Sequence, residues 1–271
     1  MTSTPKALIL HATGTNRDQD VSHAFEKAGA RPEIVHLNQL RSKEKRWIDY
    51  QILVLPGGFS YADALGAGKL LALDLITYFT TEIKEFIQTG KPVIGICNGY
   101  QALVKSGLLP GSPKITNPIH HPKTPPTLTT TLTFNDRGHF ECRWVYLKAA
   151  STHCVWTASL PSMVYCPVAH GEGQLIVSDL ASLAELQSHQ QVALIYAKPD
   201  GTAANGAYPH NPNGSIADIA GLCNPSGNIL GLMPHPENHI FPYQHPRWSR
   251  GESAYSGLPL FNNGVAYAAQ M

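Results

Sequence analysis

An α/β fold built on a doubly wound, mostly parallel sheet with an antiparallel β extension is what this 271-residue chain predicts. Three observations carry the expectation. Short apolar runs alternate with helical patterns, as strands separated by crossover helices do. One such run, 92–96, passes directly into a cysteine set between glycines, Gly95-Ile96-Cys97-Asn98-Gly99, and then into a helix-like segment. From residue 127 the character turns β-rich and turn-rich, with 128–133 alternating in period two.

Taken in order, residues 7–10 (Ala-Leu-Ile-Leu) read as a first strand, 19–28 as a first helix ended by Gly29, and 34–37 (Ile-Val-His-Leu) as a second strand. Residues 50–55 are a further buried strand that stops at Pro56-Gly57-Gly58-Phe59. The pattern over 81–88 is a helix closed by Gly90. Pro92 opens the strand before the cysteine, and 100–105 is the following helix, ended by Gly107. Residues 110–126 hold six prolines and read as a surface loop joining the two regimes. With 43% hydrophobic content the chain can bury a full core, which is consistent with one domain over 1–271.

The cysteine between glycines is a nucleophile elbow. At a tight turn from a buried strand into a helix, a side chain is lifted clear of the sheet, and flanking glycines remove the Cβ clashes that would forbid the turn. Cys97 therefore stands where serine stands in G-x-S-x-G hydrolases. Far downstream, Met233-Pro234-His235-Pro236-Glu237 sets a base and a carboxylate two positions apart, on one face of an extended segment. His235 is placed to take the thiol proton, and Glu237 to hold the imidazole in the useful tautomer. The glycines after residue 55 let backbone N–H groups approach a ligand closely, so the amide of Gly58 pairs with that of Asn98 as a candidate oxyanion hole. The other thiols, Cys142, Cys154, Cys166 and Cys223, read as small buried hydrophobes.

Several function classes are excluded on composition. Net charge is +1 with 14% charged residues, and no Lys/Arg cluster is interleaved with aromatics, so nucleic-acid binding is not expected. Five cysteines without regular spacing suit a reducing compartment rather than a disulfide framework, and no Cys-x-x-Cys pair suggests a metal site. Neither a signal peptide nor a membrane span is visible, which makes the cytoplasm the default. The nearest string to a phosphate-binding loop, Gly66-Ala67-Gly68-Lys69-Leu70, lacks the earlier glycine and the hydroxyl after lysine.

These strings resemble a known family. Pro56 to Tyr61, the G-x-C-x-G-x-Q string from Gly95 to Gln101, and Pro234-His235-Pro236-Glu237 are similar to class I glutamine amidotransferases, whose sheet is flavodoxin-like. Phe140-Glu141-Cys142-Arg143-Trp144, Val168-Ala169-His170-Gly171-Glu172-Gly173 and Asn211-Pro212-Asn213-Gly214-Ser215 narrow the resemblance to the glutaminase subunits of phosphoribosylformylglycinamidine synthase, in de novo purine synthesis. Two positions depart from the family pattern, Ala62 in place of the usual Gly and Gly66 in place of a frequent Arg.

The resemblance implies that Cys97 forms a γ-glutamyl thioester and releases ammonia, that His235 is the acid and base, and that Glu237 orients it. It implies glutamine contacts at Gly57 and Gln101, and glutamine handling or subunit contacts at His170, Glu172, Asn213 and Ser215. No cofactor is expected on this chain. The resemblance implies ATP and magnesium on a large synthetase subunit, and allows for a small third subunit that bridges the two. A stand-alone cysteine hydrolase of γ-glutamyl substrates and a silent glutamine-binding scaffold are the alternatives.

Overall fold

The computed structural model describes residues 4–111, 128–160 and 163–271. The proline-rich 110–126 stretch, apart from its first two residues, lies outside the described residues. Eleven strands are described: β1 Lys6–His11, β2 Arg31–His36, β3 Ile52–Leu55, β4 Val93–Ile96, β5 Thr130–Thr133, β6 Glu141–Ala149, β7 Val164–His170, β8 Gln174–Val177, β9 Val192–Ala197, β10 Ile219–Cys223 and β11 Ile229–Leu232. Nine of them form one sheet in the order β2-β1-β3-β4-β11-β10-β9-β6-β7, and β5 pairs with β8 in a small second sheet. Strands β2, β1, β3, β4 and β11 run parallel to one another. Strands β10, β9, β6 and β7 extend the sheet in antiparallel fashion.

Burial follows from these positions. Strands β3, β4 and β11 are buried at every residue, as the unbroken apolar strings ILVL, VIGI and ILGL require when helices cover both faces. Strand β7 instead alternates buried and half-buried residues, because only one of its faces meets the core.

Seven α-helices are found among the described residues: α1 Asp18–Lys27, α2 Leu37–Arg41, α3 Lys69–Tyr78, α4 Thr80–Gln88, α5 Asn98–Lys105, α6 Leu180–Ser188 and α7 Leu258–Ala268. Phe25 of α1 and Phe261 of α7 meet edge to face at 5.3 Å, and Trp156 joins them 6.3 Å from Phe25. Helix α5 buries all but its last residue. It lies so close to the sheet that a Cβ on Gly99 would stand 2.0 Å from the Leu55 carbonyl oxygen.

Four elements differ from expectation. The second strand begins at Arg31 and carries Pro32, which an edge strand tolerates because it pairs on one side only. Leu37, assigned to that strand by its apolarity, instead opens α2 under a His36 cap. Tyr50 closes a 3₁₀ turn at Trp47–Asp49, so β3 starts at Ile52. Finally, α5 begins at Asn98, immediately after the cysteine, rather than at residue 100.

Candidate active site

Three adjacent parallel strands end side by side, and each delivers one part of the site at its carboxyl end. The Gly57-Gly58 loop follows β3, Cys97 follows β4, and His235 follows β11. Cys97 has φ +50°, a left-handed value that a side-chain-bearing residue adopts only under constraint. Its backbone is pinned from both sides: its N–H donates to the Leu232 carbonyl at 2.8 Å, and its carbonyl accepts from Gln101 at 3.0 Å. Leu232 is the last residue of β11, so the same bond sets the nucleophile's height against the segment that carries His235.

The Nδ1–H of His235 donates to Glu237 Oε1 at 2.7 Å, and both side chains are buried. Burial alone would favour the neutral ring. The negative charges of Glu237 and of the Cys97 sulfur overcome it and push the His235 pKa up to about 10. The ring and the sulfur are thus close enough to share a proton, and Sγ also lies 3.8 Å from the Ala169 carbonyl oxygen. Gly57 sits between the two groups, and a Cβ there would stand 2.7 Å from His235 Cε1 and 3.4 Å from Cys97 Cβ.

The groups open into a cavity of about 670 Å³ whose walls include Gly58, Asp63, Gln101, His170 and Glu172. Asn98 is the first residue of α5, and its N–H has no acceptor among the described residues, as the first turn of any helix leaves it. The Gly58 N–H is likewise without one among the described residues. A thiol, an imidazole and a carboxylate in series, facing two unspent amides, are the parts that nucleophilic acyl transfer needs. A smaller cavity, about 390 Å³ between Trp47 and Phe86, lies at the opposite, amino ends of β3 and β4 and is lined by neither cysteine nor histidine.

A model of the CobB/CobQ-like glutamine amidotransferase domain matches residues 4–268. The chain is 52% identical over 266 residues to the phosphoribosylformylglycinamidine synthase subunit PurQ of Treponema denticola, spanning 97% of this chain and 98% of that one. It belongs to the PurQ family of glutamine amidotransferases. The corresponding protein of Dehalococcoides mccartyi is 43% identical over 98% of each chain. Among solved structures, PurLQS from Thermotoga maritima contains a chain of the same fold, with a TM-score of 0.71 and 29% identity over 98% of this chain and 99% of that one.

Within this PurQ-family site, His170 is neutral. Burial, then the charge on His235, push its pKa down to about 3. Asn135 settles the tautomer: its Nδ2 is spent on the carbonyls of His139 and His170, so its Oδ1 accepts from His170 Nδ1–H and from the Gly173 N–H, each at 3.0 Å. That leaves His170 Nε2 as a buried lone pair without a partner. Asn135 was not singled out from the sequence, since a lone Asn before Asp-Arg-Gly reads as a turn.

Gln101 reaches the cavity but is already held. Its Nε2 donates to the Glu172 carbonyl, and its Oε1 accepts from Asn98 Nδ2 at 3.1 Å. Asn213 and Ser215, in contrast, are not brought to the cavity wall. Asn213 Nδ2 donates to the Gly173 carbonyl at 2.7 Å and to the Tyr196 hydroxyl at 3.0 Å, and Ser215 Oγ bonds Asn213 Oδ1 and the Leu175 N–H. They brace the 171–173 loop from behind.

Cys142 also departs from expectation. It is exposed on the outward face of β6, beside Ala169 at the cavity wall, because alternation along the strand puts Glu141 and not Cys142 inward. The other three thiols are buried as expected.

The backbone at residue 62 accounts for the family's usual Gly and leaves Ala62 strained. Tyr61, Ala62 and Asp63 all have φ between +52° and +57°, a left-handed turn in which glycine is the unstrained choice. Among the described residues no group of three or more His, Cys, Asp or Glu could hold a metal ion, and no helix is long and apolar enough to cross a membrane.

Proposed function

We propose that the chain is the glutaminase subunit of a phosphoribosylformylglycinamidine synthase, with Cys97 as nucleophile, His235 as acid and base and Glu237 as its orienting carboxylate. The observation that carries the reading is the convergence of Cys97 and the His235–Glu237 pair at the ends of adjacent strands β4 and β11, in one cavity. With the Cys97 proton held on His235 Nε2 as a thiolate–imidazolium pair, the thiolate attacks the δ-carbonyl carbon of L-glutamine. The N–H groups of Gly58 and Asn98 receive the oxyanion. His235 returns the proton to the carboxamide nitrogen, the C–N bond breaks, and ammonia leaves a γ-glutamyl thioester. Water, giving a proton to His235, then attacks the thioester carbonyl; glutamate departs and the thiol is restored.

Ammonia is consumed where ATP activates the acceptor amide. In this reading that site, with its ATP and magnesium, is on the large synthetase subunit, and a small subunit bridges the two chains. Gly57, Gln101 and His170 face the glutamine. The five free thiols, one of them the nucleophile, suit the reducing cytoplasm.

The test is ammonia release by wild type and Cys97→Ala, each alone and with the cognate synthetase supplied with ATP and formylglycinamide ribonucleotide. Release that requires Cys97 and rises with the loaded synthetase supports the assignment. Release indifferent to the synthetase points to a stand-alone hydrolase, and none in either state to a scaffold.

A further inference from the structure

We propose that Asp63 receives the α-ammonium group of L-glutamine, a specificity contact that rests on the glutaminase reading above. Asp63 lines the same cavity as Cys97, and its Oδ1 accepts from Asn98 Nδ2 at 2.8 Å. Asn98 supplies one of the two candidate oxyanion amides, so this bond ties the carboxylate to the reaction centre. In glutamine the α-nitrogen lies about 5 Å from the δ-carbonyl carbon in an extended chain, which sets the scale of the headgroup subsite.

The local charges leave a place for one cation. Two carboxylates, Asp63 and Glu172, face the cavity; of the cations on its wall, Arg17 is paired with Asp20 at 2.9 Å and His235 with Glu237 at 2.7 Å, and Lys105 stands close behind it. Lys105 is committed elsewhere: its Nζ donates to the Ala67 carbonyl and lies 3.5 Å from Glu172 Oε2. Glu172 is further held by the Ala67 N–H at 3.2 Å. Among the described residues Asp63 has no cation within ion-pair distance. Burial pushes its pKa up, and the Asn98 and Gly68 donors offset this only in part.

A second, independent observation shows the same deficit of donors. His170 Nε2, on the same cavity, is buried and unpartnered, and its tautomer restricts it to accepting. A ligand for this cavity must therefore bring N–H groups. Glutamine brings its ammonium and its carboxamide. The backbone adds a third sign of use: Asp63 is held at φ +52° as the last of three consecutive left-handed residues, a costly conformation that persists where the surroundings enforce it.

The experiment uses the full chain assembled with its cognate synthetase and compares ammonia release from L-glutamine and from glutaramate, which is glutamine without its amino group. Wild type is expected to favour glutamine in kcat/KM by at least about tenfold, chiefly through KM, the factor that a charge-assisted hydrogen bond confers. Asp63→Asn keeps an acceptor for Asn98 but loses the charge, and most of that preference is expected to disappear. Equal kcat/KM for the two substrates in wild type overturns the proposal without any variant. So does an Asp63→Asn enzyme that loses equally on both, which would mark Asp63 as support for Asn98 only. Wild type that releases ammonia from neither substrate overturns the glutaminase reading itself, and the proposal with it.

Discussion

Replacing Gly57 by alanine adds one methyl group at the point where the nucleophile and base meet. The new Cβ would stand 2.7 Å from His235 Cε1. Carbon atoms settle at about 3.5 Å or more, so the ring has to retreat by about 0.8 Å. It is fully enclosed, and its Nδ1 is held at 2.7 Å by Glu237. Retreat therefore stretches that bond to the edge of hydrogen bonding or swings Nε2 away from the sulfur. A misplacement of this size costs about a hundredfold in rate, equivalent to about 2.7 kcal/mol of barrier. Stability changes less. Gly57 does not have a left-handed φ, so alanine fits the backbone and narrows the unfolded ensemble, worth up to about 1 kcal/mol, which offsets part of the roughly 1–3 kcal/mol that crowding the enclosed ring costs. Thermal unfolding, ammonia release and the rate of Cys97 alkylation by iodoacetamide separate these effects. The expected result is a Tm lowered by at most a few degrees with a kcat about a hundredfold lower. A kcat within about threefold of wild type, at equal stability, refutes the reasoning, because the ring would then have room that the geometry denies it.

Gly99→Ala places a methyl 2.0 Å from a backbone oxygen instead of a side chain, and the helix-propensity gain of about 1 kcal/mol does not offset that overlap. A net loss of about 2 kcal/mol, read as a Tm lowered by several degrees, is expected. Ala62→Gly relieves a left-handed alanine and is expected to raise stability by about 0.5–1 kcal/mol in urea unfolding, after the entropy cost of glycine. The two histidines respond to pH in opposite senses. The His235 pKa is raised from 6.5 to about 10, so its contribution is complete below pH 6.5 and is lost as pH rises towards 10; the alkaline fall in the urea midpoint is expected to be smaller in Cys97→Ala, which lacks the sulfur's charge. The His170 pKa is lowered to about 3, so its contribution is present above pH 6.5 and is lost as pH falls; between pH 6.5 and 5 wild type is expected to lose up to about 2 kcal/mol more than His170→Phe.

The chemistry was legible in the sequence where it depends on local sterics. Gly95 and Gly99 beside Cys97, Gly57-Gly58 after an apolar run, and a proline-framed His-x-Glu are each demanded by backbone geometry within a few residues, so the pattern survives without knowledge of the fold. The alternation of strands and helices was legible for the same reason. Leu37 and Tyr50 were misassigned because an apolar residue at a strand end looks the same whether the chain continues extended or turns.

Asn213 and Ser215 illustrate the other limit. Their string sits far along the chain from the 171–173 loop, and only folding shows that their polar groups are spent on Gly173 and Tyr196. Charge states belong wholly to the tertiary level. His170 and His235 are the same residue type, both buried, yet one is neutral and the other retains its proton, because burial and the charge on His235 act on the first with no carboxylate to oppose them, while Glu237 and Cys97 offer the second negative charge. The order of residues specified which groups are available for catalysis. Their protonation, and which of them face the cavity, were decided by long-range packing, because desolvation and Coulomb interactions act through space and not along the chain.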